Sequence, residues 1–232
     1  QALQATLQFA PSWETLNDEL GVVKTAVEQV RSSQALRAIL MRVLALGNFL
    51  NGTSARGGAY GFKLPDLSKL VQVKSADGKT TLLHYLARWL HTKSSTAIDE
   101  LKAQLNALPE AKDVEMGEKK AELAKLAGSL KVAQQQLEAC AEDDPMGGLL
   151  RPFCQGAEEQ LAKLQADAAA TETELKGLAK WLGDKPQATT SELFAPLAEF
   201  VKTLAKAEAD NVREEEAAKR KEAATARAAT AA

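Results

Sequence analysis

Residues 47–62 read GNFLNGTSARGGAYGF, with five glycines and two asparagines in sixteen positions. An apolar, helix-spaced run leads directly into them. A phosphate cradle, a tight turn and a packing surface all use glycine, and each implies a different fold. A phosphate loop needs G-x-x-x-x-G followed by Lys and Ser/Thr, because an ammonium must reach the β and γ phosphates and a hydroxyl must hold magnesium. Gly52 and Gly57 have that spacing, but Gly58 and Ala59 stand where the lysine and hydroxyl belong. The dinucleotide pattern fails as well, on the spacing of Gly57, Gly58 and Gly61. The segment follows a helix-like run, whereas both motifs follow a strand. Nucleotide chemistry, and the α/β sheet that would carry it, is thereby set aside.

Working outward toward the N-terminus, Leu36, Ile39, Leu40, Val43 and Leu44 predict a helix from about 34 to 46, apolar over a broad arc and therefore central. Arg31-Ser32-Ser33 breaks it from an earlier stripe. That stripe is Trp13, Leu16, Leu20, Val23, Val27 and Val30, stepping by three and four, with Ser12 expected to cap its start.

Toward the C-terminus, Lys63-Leu64-Pro65-Asp66 predicts a lead-in turn, and Leu67 and Leu70 a short helix. Ala76-Asp77-Gly78 is a turn signal, and residues 80–90 read as a buried helix. Ile98, Leu101, Leu105 and Leu108 keep helical spacing up to Pro109. Two heptad seams follow. Leu123, Leu126, Leu130, Ala133, Leu137 and Cys140 form the first; Leu161, Leu164, Ala168, Thr171, Leu175, Leu178 and Leu182 form the second. Asp143-Asp144-Pro145-Met146-Gly147-Gly148 separates them, so a long antiparallel helical hairpin over about 115–182 is expected. After Gly183-Asp184-Lys185-Pro186 a helix is expected to start at Ser191 and to carry Leu193, Phe194, Leu197, Phe200, Val201 and Leu204. Residues 211–232 have no apolar stripe and read as a charged, alanine-rich helical or frayed tail.

The fold class expected is all-α: an elongated helical bundle with a heptad-bearing hairpin and a post-like subdomain. Composition agrees, since only 5% of the 232 residues are aromatic and alanine and leucine dominate. A formal net charge of −2 provides no field to draw nucleic acid or anionic lipid. No stretch approaches the roughly 18 apolar residues of a membrane span. Cys140 and Cys154 lack metal spacing and make no disulfide framework, which fits a reduced cytoplasmic setting. His84 and His91 lie seven apart without a zincin glutamate, and no Ser or Cys sits in a nucleophile elbow. Acidic runs such as Glu214-Glu215-Glu216 read as solvated faces. Neither an enzyme, a metal site nor a cofactor is expected. The chain begins without methionine in mid-pattern and reads as part of something longer.

Five stretches in order carry a resemblance: Gly47-Asn48-Phe49-Leu50-Asn51-Gly52, Arg56-Gly57-Gly58-Ala59-Tyr60-Gly61-Phe62-Lys63-Leu64, Leu67-Ser68-Lys69-Leu70, Lys74-Ser75-Ala76-Asp77, and Lys79-Thr80-Thr81-Leu82-Leu83-His84-Tyr85-Leu86. Together they resemble the signature of the formin homology two domain, and residues 1–210 resemble its C-terminal half. The resemblance implies a helical domain that closes a head-to-tail dimer, a lasso of one protomer wrapping a post of the other. Such a dimer nucleates actin filaments and stays on the barbed end during elongation, without a cofactor. These residues hold no counterpart of the lasso or of most of the knob, and no proline-rich segment that would recruit profilin.

The resemblance implies site residues too. Gly47, Asn48, Asn51, Gly52, Gly57, Gly61 and Phe62 would form the lasso-receiving post. Glycine would let a large aromatic approach the backbone, and the asparagine amides would satisfy turn groups. Lys69 and Lys74 would contact actin. From Arg56 to Lys79 there are five basic and two acidic residues, a local net of +3. At Gln72-Val73 the chain departs from the Asp-Thr common in the family, which leaves a second reading: a helical scaffold of formin architecture without productive nucleation.

Overall fold

The computed structural model describes residues 2–230 except 53, 55, 56, 77, 142 and 143, and for 228–230 the backbone alone. Arg56, Asp77 and Asp143, used in the sequence reading, therefore lie outside the described residues. The helices are α1 (Ala2–Ser32), α2 (Gln34–Asn51), α3 (Lys69–Gln72), α4 (Leu82–Lys93), α5 (Ala97–Gln104), α6 (Leu108–Ala111), α7 (Met116–Glu138), α8 (Pro145–Trp181) and α9 (Thr190–Thr230), with a 3-10 turn over Leu64–Ser68. The all-α class holds: among the described residues the only β pairing is a single antiparallel bridge between Lys74 and Thr81. Backbone contacts divide the chain into two compact units, one of Gln1–Arg31 with Ala107–Phe194 and one of Ser32–Asn106 with Ala195–Ala232.

In the first unit, α7 and α8 form the antiparallel hairpin that the two seams predict. Leu123, Leu126, Leu130 and Ala133 are buried, as are Leu161, Leu164, Ala168, Thr171, Leu175 and Leu178. Lys120 reaches Glu172 and Gln134 reaches Glu158, so later positions on α7 meet earlier ones on α8. The seams run out sooner than expected: Cys140 lies beyond α7, and Leu182 caps α8 half-buried. Each Leu sealed here is worth about 1.5–3 kcal/mol, so the hairpin rests mainly on its seam.

Helix α1 corrects the expected start. Ser12 caps nothing; it sits mid-helix, one residue after Pro11. The buried stripe extends back through Phe9, Ala5 and Ala2, and Phe9 meets Phe153 edge-to-face at 5.6 Å. That packing outweighs the one helix bond a proline forfeits. The Thr15 hydroxyl turns back onto the Pro11 carbonyl at 3.0 Å. The start of α9 also moves: Thr189 caps it, accepting from the Glu192 N–H at 3.1 Å while Glu192 Oε2 accepts from the Thr189 N–H. The Thr190 hydroxyl donates to the Val114 carbonyl at 2.6 Å in the core.

Glu172 gives this unit an acid-sensitive tie. Lys120 lies 2.5 Å and Lys176 3.0 Å from its carboxylate, and those hydrogen bonds hold the carboxyl below its usual range. A carboxyl whose folded value lies below the unfolded one stabilises above the unfolded value and loses that contribution as pH falls through the folded one. The hairpin is therefore expected to be less stable at about pH 3 than at pH 7. Glu172→Gln should flatten part of that acid limb and cost at most about 1 kcal/mol at neutrality, read by urea unfolding across the pH range.

In the second unit, Ser33 ends α1 and caps α2, its hydroxyl accepting from the Leu36 N–H at 3.1 Å. Here the expectation of a central second helix fails. Only Leu36, Ile39 and Val43 are buried; Leu40 and Leu44 are half-buried, and Met41, Phe49 and Leu50 are exposed. The helix also continues past residue 46 to Asn51, so Gly47 and Asn48 are helical. The core of this unit lies instead on α4 and α5, through Leu83, Leu86, Leu90, Ile98 and Leu101. Helical spacing does not persist to Leu108. Leu105 closes α5, and α6 starts anew with Pro109 in its first turn, although both leucines are buried.

Candidate docking groove and basic edge

The last turns of α2 leave an apolar arc uncovered, and the chain that follows folds back along it. Gly52 makes the reversal possible. It caps α2 at φ 51°, where a side chain would be strained, and its N–H donates to the Asn48 carbonyl at 3.0 Å. Gly57 serves the same loop for a steric reason, since a Cβ there would stand 1.9 Å from the Gly52 carbonyl oxygen.

Asn48 then fixes the returning segment. Its Nδ2 donates to the Ala59 carbonyl at 2.9 Å and its Oδ1 accepts from the Ala59 N–H at 2.8 Å. The amide thus mimics one rung of a ladder between a helix and an extended segment. It sets the positions of Tyr60, fully exposed, and of Gly61 and Phe62 beyond it. Asn48→Ala removes both bonds. It is expected to cost about 1–2 kcal/mol and to speed hydrogen exchange at Ala59, whereas a control at exposed Asn51 should do neither.

Between the helix and the returning segment lies a groove of about 480 Å³. Gly47, Asn48, Asn51, Gly61 and Phe62 all line it, and Lys69 stands at its edge; Gly52, Gly57 and Lys74 do not line it. Sequence reading missed the apolar lining residues Val43, Leu44, Leu50, Leu70, Val73 and Leu82. Their spacing looks the same whether they bury against a neighbouring element or line a hollow. A second apolar hollow, about 520 Å³, shares Leu50 and Leu82 and is walled by Phe49, Tyr85 and Arg42. Phe49 is 82% exposed, and the Arg42 guanidinium lies 4.3 Å from the Trp89 ring centroid.

Gly47 is a glycine of this groove that local structure does not require. Its φ is not left-handed, and a Cβ built there would meet nothing within 4 Å. A helical glycine costs roughly 0.5–1 kcal/mol relative to alanine. Neither backbone conformation nor packing within the chain repays that cost.

The two lysines differ. Lys69 Nζ lies 2.6 Å from Asp66 Oδ1, and that hydrogen bond holds the Asp66 carboxyl below its usual range. The pair is on the surface, with Lys69 67% exposed. Lys74 is exposed, and no ion pair among the described residues involves it. Its backbone is held all the same. The Ser75 N–H donates to the Thr80 carbonyl at 2.8 Å and the Leu82 N–H to the Val73 carbonyl at 2.9 Å, pinning both sides of the bridge to Thr81. A fixed backbone beneath a free ammonium suits contact with an acidic surface.

The histidines make structural hydrogen bonds. His84 completes the Thr81 cap of α4, and His91 meets Glu208 at 3.0 Å. Among the described residues no cluster of His, Cys, Asp and Glu could hold a metal ion, and no helix is long and apolar enough to cross a membrane.

Comparison with known proteins gives one consistent result. The family model described as Formin Homology 2 Domain matches residues 1–205. The chain is 33% identical over 219 residues to Formin-like protein 20 of Arabidopsis thaliana, covering 92% of the chain and 13% of that protein. It is 31% identical over 221 residues to Formin-like protein 19 of the same plant, covering 94% of the chain and 47% of that relative. Against Formin-like protein 1 of Homo sapiens it is 33% identical over 201 residues, 86% of the chain and 18% of the relative. The chain thus spans less than half the length of each of these relatives.

Proposed function

This chain belongs to the formin homology 2 domain family, and on that premise we propose that it is the subunit-receiving and actin-contacting part of a formin. In this reading the groove beside Gly47 takes an aromatic-bearing lasso of a second protomer, and Lys74, with Lys69 beside it, touches actin. The assembled dimer nucleates filaments and stays on the barbed end while subunits add. It works in the cytoplasm, on the cytoskeleton. Profilin would enter only through proline-rich sequence elsewhere in the protein. The mechanism is templated association, with no bond made or broken.

The observation that carries the reading is Gly47: a helical glycine facing an apolar groove with open space where its Cβ would stand. A rigid, preformed hollow lowers the ordering cost of a flexible arm. Lys74 would act by steering encounter and fixing register more than by adding bulk affinity. The test is pyrene-actin assembly with the full-length protein. Acceleration together with protection of barbed ends from capping is expected; neither effect would reject the reading.

Gln72-Val73 favours a second reading, a scaffold that keeps this architecture without productive nucleation. The backbone bridge at Lys74 weakens it, because the main chain of the lysine is held there although Gln72 supplies no carboxylate. Lys74→Asp separates the two: an assembly factor loses activity, whereas a scaffold keeps its partner.

A further inference from the structure

The chain has two histidines, and both stand on α4 facing carboxylates of α9. His91 Nδ1 lies 3.0 Å from Glu208 Oε1. His84 is placed differently, because each of its ring nitrogens has its own neighbour. Nδ1 lies 2.7 Å from the Thr81 hydroxyl oxygen and 3.4 Å from the Thr81 N–H nitrogen, while Nε2 lies 3.9 Å from Asp210 Oδ2. A backbone N–H can only donate, so Nδ1 carries no hydrogen in this arrangement. The hydrogen of the neutral ring therefore sits on Nε2, on the side of Asp210.

Thr81 belongs to two structures at once. It caps α4, and it is the residue bridged to Lys74. The bonds that close the bridge run from the Ser75 N–H to Thr80 and from the Leu82 N–H to Val73, so neither uses the Thr81 N–H. Thr81 is buried, and the acceptor of its N–H is His84 Nδ1. The ring is also kept in place from behind, because buried Asn211 donates from Nδ2 to the His84 carbonyl at 2.9 Å.

An imidazole is the side chain whose charge ordinarily changes between about pH 5 and pH 8. Protonation of His84 puts a hydrogen on Nδ1 and ends its acceptance. The Thr81 N–H then faces a donor in a buried setting, and the Thr81 hydroxyl must turn its own hydrogen away. A buried donor without a partner destabilises the structure that holds it. Several charged groups surround the ring. Asp210 stands across on α9, with Arg213 3.6 Å behind it. Arg88 lies one turn along α4, its Nη2 3.4 Å from Asn211 Oδ1. The bridged segment carries Lys74 and Lys79. These charges set the pH at which the ring protonates, but only the uncharged ring accepts at Nδ1.

We propose that His84 is a proton-sensitive latch on the Lys74 bridge: uncharged, it ties down Thr81 and keeps the bridge closed; charged, it releases Thr81 and the bridge loosens. As a control on actin contact this rests on the role proposed above for Lys74; as a change in the backbone it does not.

The test is hydrogen exchange by NMR on the whole chain at about pH 7.5 and about pH 5.5, read as protection relative to an unstructured amide at the same pH. Protection at Thr81 and Leu82 should fall at least about fivefold on acidification, following the titration of the His84 ring itself. Leu101, in the core of α5, should keep its protection, which separates release of the latch from unfolding of the unit. His84→Gln offers the side-chain oxygen of an ordinary capping box and should stay protected at both pH values. His84→Ala offers no acceptor and should show the low protection at both. His91→Gln should behave as the parent. No actin is present, so the result stands whether or not Lys74 touches actin. Equal protection at the two pH values in the parent, a fall that persists in His84→Gln or disappears in His91→Gln, or full protection in His84→Ala would overturn the proposal.

Discussion

Lys74→Asp is expected to cut filament assembly by the full-length protein at least about tenfold while leaving its stability within about 0.5 kcal/mol. Both halves of that statement come from one geometry. The Lys74 side chain is exposed and makes no ion pair among the described residues, so removing it costs the fold nothing specific. Its backbone is fixed by the bridge to Thr81 and the flanking bonds from Ser75 and Leu82, so the new carboxylate stands where the ammonium stood. Reversing a charge at an interface both removes an attraction and adds a repulsion, which is why the effect should exceed that of Lys74→Ala. Lys69→Ala should cost only a few-fold, because that ammonium is already shared with Asp66 at 2.6 Å. Pyrene-actin assembly rates and thermal unfolding, run on the same preparations, check the pair of expectations. A Lys69 variant worse than Lys74→Asp would reverse their order of importance.

Leu86→Ala should destabilise the second unit by about 3 kcal/mol. Leu86 is fully buried on α4, the helix that carries this unit's core together with α5. Alanine there loses transfer energy and leaves a cavity that neighbouring Leu90 and Ile98, themselves buried, have little room to fill. With a typical domain stability of about 5–15 kcal/mol, that is a large share. It corresponds to a melting shift of roughly 6–12 °C. The adjacent Tyr85 is 49% exposed, and Tyr85→Ala should cost under about 1 kcal/mol while removing a wall of the second hollow. Differential scanning calorimetry of the two variants separates a residue that holds the unit together from one that shapes its surface.

The helical hairpin was legible because its seams are long and regular, and a three-four alternation sustained from Leu161 to Leu178 has one structural solution. The motif from Gly47 to Leu86 was legible through its resemblance, with the family match as its counterpart. What escaped has particular causes. Pro11 obscured the first turns of α1, because the gain from burying Phe9 against Phe153 depends on a residue far along the chain. The end of α2 was hidden because glycine and asparagine signal a loop, whereas here Gly47 and Asn48 stay helical and the true stop is the left-handed Gly52. Reading α2 as central followed from its broad apolar arc. That arc is broad because half of it lines open hollows, and composition alone does not distinguish a face buried by its own chain from one kept open. Five of the seven residues expected to form the post line the groove, while Gly52 and Gly57 shape the loop that closes one side of it.

That open face makes Gly47→Trp in the full-length protein the sharpest measurement, made by following thermal unfolding and subunit association together. A Cβ at this position meets nothing within 4 Å and the groove beyond it is open, so the helix should melt no lower than the parent, while dimerisation and barbed-end protection are lost. A variant that associates and protects filament ends as the parent does would contradict the account, since nothing would then need the space that the glycine leaves.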